Sequence, residues 1–182
     1  MPQDDERDHP LISERSPSYA RARHEQTHPS PVPDPEEIAV LNRLVEAEDH
    51  AAAICTAAAQ ALGAALGAHA RAEAMADLCA HHEGRVNALA DVIAELGAAA
   101  PQPGKRERVL TRDPDDISYL QDAAAILAAV DASEAELGAR YTDALARPAM
   151  PAPARVVLAR HDQSQRAERA RLTALMDGQT RF

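Results

Sequence analysis

Aromatic side chains are nearly missing from this chain: they make up 2% of its 182 residues, with no tryptophan and a single phenylalanine, Phe182. Strands favour β-branched and aromatic residues, so the scarcity argues against a sheet. It also removes the stacking platform on which single-stranded nucleic acids lie. Cys55 and Cys79 are the only cysteines, too few for a disulfide framework. Lys105 is the only lysine, and the formal net charge is −10. The average field of such a chain repels a duplex and an anionic membrane alike, so no nucleic-acid partner is expected. No run of about 18 uncharged apolar residues suggests a membrane span; the nearest approach, Ala51 to Ala68, is mostly alanine and glycine. Met1 to Glu6 lack the basic and apolar regions of a secretory signal, so the expected location is cytoplasmic.

What the chain does have is alanine, in runs such as Ala51 to Ala53, Ala57 to Ala59 and Ala123 to Ala125. Alanine is the best helix former. It removes little apolar surface from water, so cohesion must come from close approach of helices. Residues 1–33 mix Asp, Glu, Arg, His, Ser and Pro with few apolar groups. They cannot offset their ordering entropy and read as a disordered tail, leaving 34–178 for the folded domain.

Within that domain the spacing predicts four helices. The first opens at Asp34-Pro35-Glu36-Glu37, where Asp34 caps, proline suits the first turn and Glu37 completes a capping box. Leu41, Val45, Ala52, Cys55, Ala59, Leu62 and Leu66 recur at alternating threes and fours, with Glu48 on the same stripe, up to Gly63–Gly67. The second covers about His69 to Leu96, with Met75, Cys79, His82, Val86, Leu89 and Ile93 inward, and stops at Gly97. A long polar connection, crossing the bundle end or running along its side, leads to Asp113-Pro114-Asp115-Asp116. There a third helix is predicted to start and continue through Leu120, Ala124, Leu127, Val130, Glu134, Leu137 and Tyr141. A proline-rich break at Arg147 to Pro153 precedes the last, which carries Val157, His161, Glu168, Leu172 and Leu175 near one face. Two short connections favour antiparallel neighbours, and the continuous seams fit crossings near 20°. The expected fold is all-α, an antiparallel four-helix bundle with a disordered N-terminal tail.

Several segments carry a resemblance in their order and spacing. They are Leu41-Asn42-Arg43-Leu44-Val45-Glu46, Arg85 through Gly97, Asp131-Ala132-Ser133-Glu134, Tyr141 to Leu145, and Arg171 to Leu175. Together they resemble a bacterial ferritin-like four-helix-bundle family of unknown function. The resemblance implies a ferritin-like fold and no assigned activity. Cys55 stands where that family has an aromatic, and His50-Ala51 where it has an aspartate-glycine pair.

Carboxylate-bridged di-iron bundles place Glu-x-x-His on two of their helices, three residues apart on one face. Within 34–178 no such motif occurs: Glu73 is followed three later by Ala76, Glu83 by Val86 and Glu168 by Arg171. Ferroxidase chemistry is disfavoured. Glu48, His82, Glu134 and His161 nevertheless fall on the inward stripes of four different helices, a donor set that suits iron, manganese or zinc. A first turn centred near residue 65 brings Glu48 level with His82; in the other hairpin Glu134 comes closer to Ser164 and Gln165 than to His161. Glu–His pairs can also satisfy each other without metal. A turn nearer residue 67 would instead level Cys55 with Cys79, a redox-sensitive pair or soft metal site, so the two arrangements are rivals. His81 and Glu83 are expected to face solvent, and Glu46 to pair with His50 on the helix surface.

Ser133 and Ser164 sit in no nucleophile motif, and no glycine-rich phosphate loop follows a strand. The reading is therefore a non-catalytic ferritin-like bundle, acting through association with itself or another protein, with a stress-related role by analogy alone. The alternative is a non-canonical metal-binding or iron-oxidising protein with a mixed Glu/His core.

Overall fold

A computed structural model describes residues 34–64, 68–102 and 109–178. The expected tail at 1–33 lies outside the described residues, as do Leu66 and Gly67. Every regular element described is helical: α1 Pro35–Gly63, α2 His69–Glu95, α3 Pro114–Ser118, α4 Ala123–Ala146 and α5 Ala152–Met176.

Local chemistry explains the ends. The Asp34 carboxylate accepts the Glu36 N–H at 2.9 Å, with Pro35 at the first helical position. Glu37, expected in a capping box, binds the Arg147 guanidinium, Nε to Oε2 2.8 Å. After α2, Gly97 adopts φ +80°, and the Ala98 N–H returns to the Ile93 carbonyl at 3.0 Å.

The third predicted helix is two. Asp113 caps α3 through the Asp115 N–H at 3.0 Å, and Asp122 caps α4 through the Ala125 N–H at 3.1 Å. A cap has non-helical backbone, so a second cap nine residues on breaks what spacing alone reads as continuous. Ala124, placed on the inward stripe by that reading, is exposed.

The four long helices pack in a closed cycle, α1 on α2 and α4, α5 on α4 and α2; α3 also lies on α1. A helix covered on three sides must be apolar nearly all round. In α1 this is met by small residues: Ala47, Ala51, Ala53, Ala57 and Ala58 are buried among Leu41, Ile54 and Leu62. The described end of the long connection, from Val109, lies against α1. Leu110 and Ile117 are fully buried there, each contributing roughly 1.5–3 kcal/mol. His50 pins this segment, its Nδ1 accepting the Val109 and Leu110 N–H groups at 3.2 and 3.1 Å. The surface position expected for His50 is thus corrected: the connection covers it. Among the described residues, no helix is long and apolar enough to cross a membrane.

Candidate functional site

Helical spacing of three, four and seven puts side chains on one face. Glu48 and Cys55 of α1, His82 and Arg85 of α2, Glu134 and Tyr141 of α4, and His161, Gln165 and Glu168 of α5 obey it. All nine are buried, and together they form a polar layer inside an otherwise apolar core.

Glu48, fully buried, is the hub. Oε1 accepts the Tyr141 hydroxyl at 2.5 Å, Oε2 meets His82 Nδ1 at 2.6 Å, and Arg85 Nε donates to Oε2 at 3.2 Å. Burial alone would raise its pKa, but His82 and Arg85 outweigh burial and hold the carboxyl below its ordinary range. The converse holds for His82: burial disfavours the imidazolium, yet Glu48 and its other partners keep its pKa well above the ordinary value. Burial, with the Glu48 charge beside it, pushes the Tyr141 phenol up.

Arg85 bridges to α5. Its Nη1 donates to Glu168 Oε2 at 2.8 Å, and Glu168 Oε1 accepts the Ser164 hydroxyl at 2.9 Å. His81 Nδ1 reaches the same oxygen at 3.1 Å from the half-exposed side, in keeping with its solvent-facing expectation. Arg85 is 5% exposed, so a permanent cation stands inside the helical core between the carboxylates of Glu48 and Glu168.

The other nitrogen of His82 has a different environment. Nε2 lies 3.0 Å from Glu134 Oε1, but neither atom has a hydrogen-bond partner. At that separation only poor alignment prevents the bond, so the ring N–H axis points past the carboxylate. Cys55, fully buried, contributes the third group: its Sγ, a ring nitrogen of His82 and a Glu134 carboxylate oxygen lie within 4.8 Å of one another. With Nδ1 held by Glu48, the converging nitrogen is Nε2. Burial pushes the Cys55 thiol up, so it is a thiol rather than a reactive thiolate.

Glu48, His82 and Glu134 therefore meet as their stripes implied. His161 joins through Tyr141, its Nδ1 3.3 Å from the hydroxyl. The one hydroxyl proton goes to Glu48, so His161 must donate from Nδ1 as a neutral ring. Its pKa is pushed down to about 4, with burial the main cause. Glu134 does sit beside Gln165, whose Nε2 donates to its backbone carbonyl at 2.5 Å. Cys79 and Cys55 are both free thiols. Cys79 is half-buried, 3.3 Å from the Thr56 hydroxyl and 3.8 Å from Glu83 Oε1. Of the two rival registers, the one that levels Glu48 with His82 is found; Cys79 contacts Thr56 and Glu83, while Cys55 converges with His82 and Glu134.

A stripe traced through apolar residues passes over Arg85 and Gln165, although they lie three and four residues after His82 and His161, and it takes in Tyr141 for its apolar body. A hydroxyl seven residues after Glu134 was the available signal for Tyr141. The chain matches no family model, no curated protein and no solved structure.

Proposed function

We propose that this protein is a ferritin-like, antiparallel four-helix bundle that binds one divalent transition-metal ion through Cys55, His82 and Glu134, without di-iron chemistry. The carrying observation is that His82 Nε2 and Glu134 Oε1, both buried, face each other at 3.0 Å without an aligned hydrogen bond and converge with the Cys55 sulfur. Buried polar atoms are nearly always satisfied, and two beside a third donor are what a metal ion satisfies.

The surroundings support it. A metal-binding imidazole characteristically donates its second N–H to a carboxylate, as His82 is placed to do toward Glu48. Binding a divalent ion would release the Cys55 thiol proton and one His82 proton, and the resulting thiolate, carboxylate and neutral imidazole balance its two positive charges. Sulfur and nitrogen donors disfavour magnesium and calcium and suit zinc or cobalt, with ferrous iron less well matched. Arg85 supplies the cation between Glu48 and Glu168, a place that a second metal would otherwise have to share with a guanidinium. A closed cycle of long helices with short α1–α2 and α4–α5 connections supports the bundle reading.

Metal analysis of protein purified without added metal and dialysed against zinc tests this. About one ion per chain is expected, lost in Cys55→Ser and His82→Gln. Equal, sub-stoichiometric zinc in all three would end the proposal. Oxidation of Fe(II) by oxygen faster than a free-iron control would overturn the exclusion of di-iron chemistry.

A further inference from the structure

We infer that Gln165 is a positioned plug separating the Cys55–His82–Glu134 cluster from a cavity between α4 and α5, and that divalent ions reach the cluster from that side. This rests on the metal-binding reading above.

The cavity holds about 440 Å³, with Gly138, Thr142, Asp162, Gln165 and Arg166 in its wall. Gln165 is 2% exposed. One side of this residue faces the cavity; on the other its amide nitrogen donates to the Glu134 carbonyl at 2.5 Å and lies 3.5 Å from Glu134 Oε2. A single neutral side chain thus stands between cavity and carboxylate. Gly138 is what lets it lie there. A Cβ at that position would meet Gln165 Oε1 at 3.0 Å and Nε2 at 3.3 Å, tighter than ordinary packing.

A second cavity, about 400 Å³ between α2 and α5, also approaches the polar layer, at His81 and Glu168. Behind Glu168, however, stands the Arg85 guanidinium, 2.8 Å from Glu168 and 3.2 Å from Glu48. A cation taking that way would meet a fixed like charge inside the bundle, where it is poorly screened. The α4–α5 cavity is lined by two arginines, but each is paired, Arg166 with Asp162 at 2.8 Å and Arg169 with Asp131 at 2.9 Å, and Gln165 brings no charge. Electrostatics therefore favours the glutamine side.

Rapid mixing with Co(II), followed by the thiolate-to-cobalt absorption, gives the association rate, and a chelator chase gives dissociation. In Gln165→Ala both rates are expected to rise roughly tenfold, for loss of the amide's hydrogen bonds, with Kd changed by less than about threefold. Gly138→Ala, which keeps the glutamine but crowds its amide, should move both rates the same way. Ala74→Leu, which narrows the α2–α5 cavity, should leave them unchanged. Faster dissociation alone in Gln165→Ala would reduce Gln165 to a support for Glu134 and overturn the route, as would unchanged rates or slowed binding in Ala74→Leu. Wild-type protein that takes up no Co(II) would fail earlier, by removing the metal reading itself.

Discussion

His82 Nδ1 and Glu48 Oε2 lie 2.6 Å apart with neither residue exposed to solvent, and that contact fixes which nitrogen of the imidazole is turned toward Glu134 and Cys55. Glu48→Gln keeps the shape and removes the charge. Divalent-metal affinity, measured by competition with a chromophoric chelator, should fall about 10- to 100-fold. An unchanged affinity would show that the clamp on the ring has no part in binding.

Arg85 should be costly to lose alone and far less so with a partner. Arg85→Met leaves Glu48 and Glu168 short of their cation and should cost about 3–5 kcal/mol in urea unfolding. Arg85→Met combined with Glu168→Leu should recover a large part of that loss. Equal destabilisation in the single and double variants would refute the charge-balance role.

Tyr141 and His161 give a stability test with a pH signature. Tyr141→Phe removes a hydrogen bond to an ionised, buried carboxylate and should destabilise by roughly 1.5–3 kcal/mol. His161 is depressed in the fold to about 4 from an ordinary value of 6.5. Its neutral form contributes stability that is fully present above 6.5 and lost as pH falls toward 4, because the unfolded chain takes up the proton first. Wild type should therefore lose on the order of 2 kcal/mol relative to His161→Gln between pH 7 and pH 4.5. A constant gap between the two unfolding curves would mean that His161 does not titrate this way.

The connection before α3 hangs on His50. In His50→Phe the Val109 and Leu110 amides lose their acceptor, and their hydrogen exchange should quicken roughly tenfold or more. If both stay protected, some other contact holds the segment.

Periodicity made the long helices and seven of the nine members of the polar layer legible, since spacings of three and four translate directly into a helix face. Glu48, Cys55, His82, Glu134, Tyr141, His161 and Glu168 all stand on those stripes. Arg85 and Gln165 lie three and four residues after His82 and His161, on the same faces, but a stripe traced mainly through apolar residues passes over them. The break before α4 was hidden for another reason: Gln121-Asp122 looks like an exposed helical turn until Asp122 is seen capping. Register was legible only to about one turn, too coarse to show that Glu48 and Cys55 share a single imidazole.

A guanidinium keeps its proton at any physiological acidity. The counter-ion between Glu48 and Glu168 is thus covalently tethered to α2, where no chelator can extract it and no competing metal can displace it. That positive charge is built into the chain, so stripping the neighbouring ligand cluster should leave the helices assembled and ready to reload.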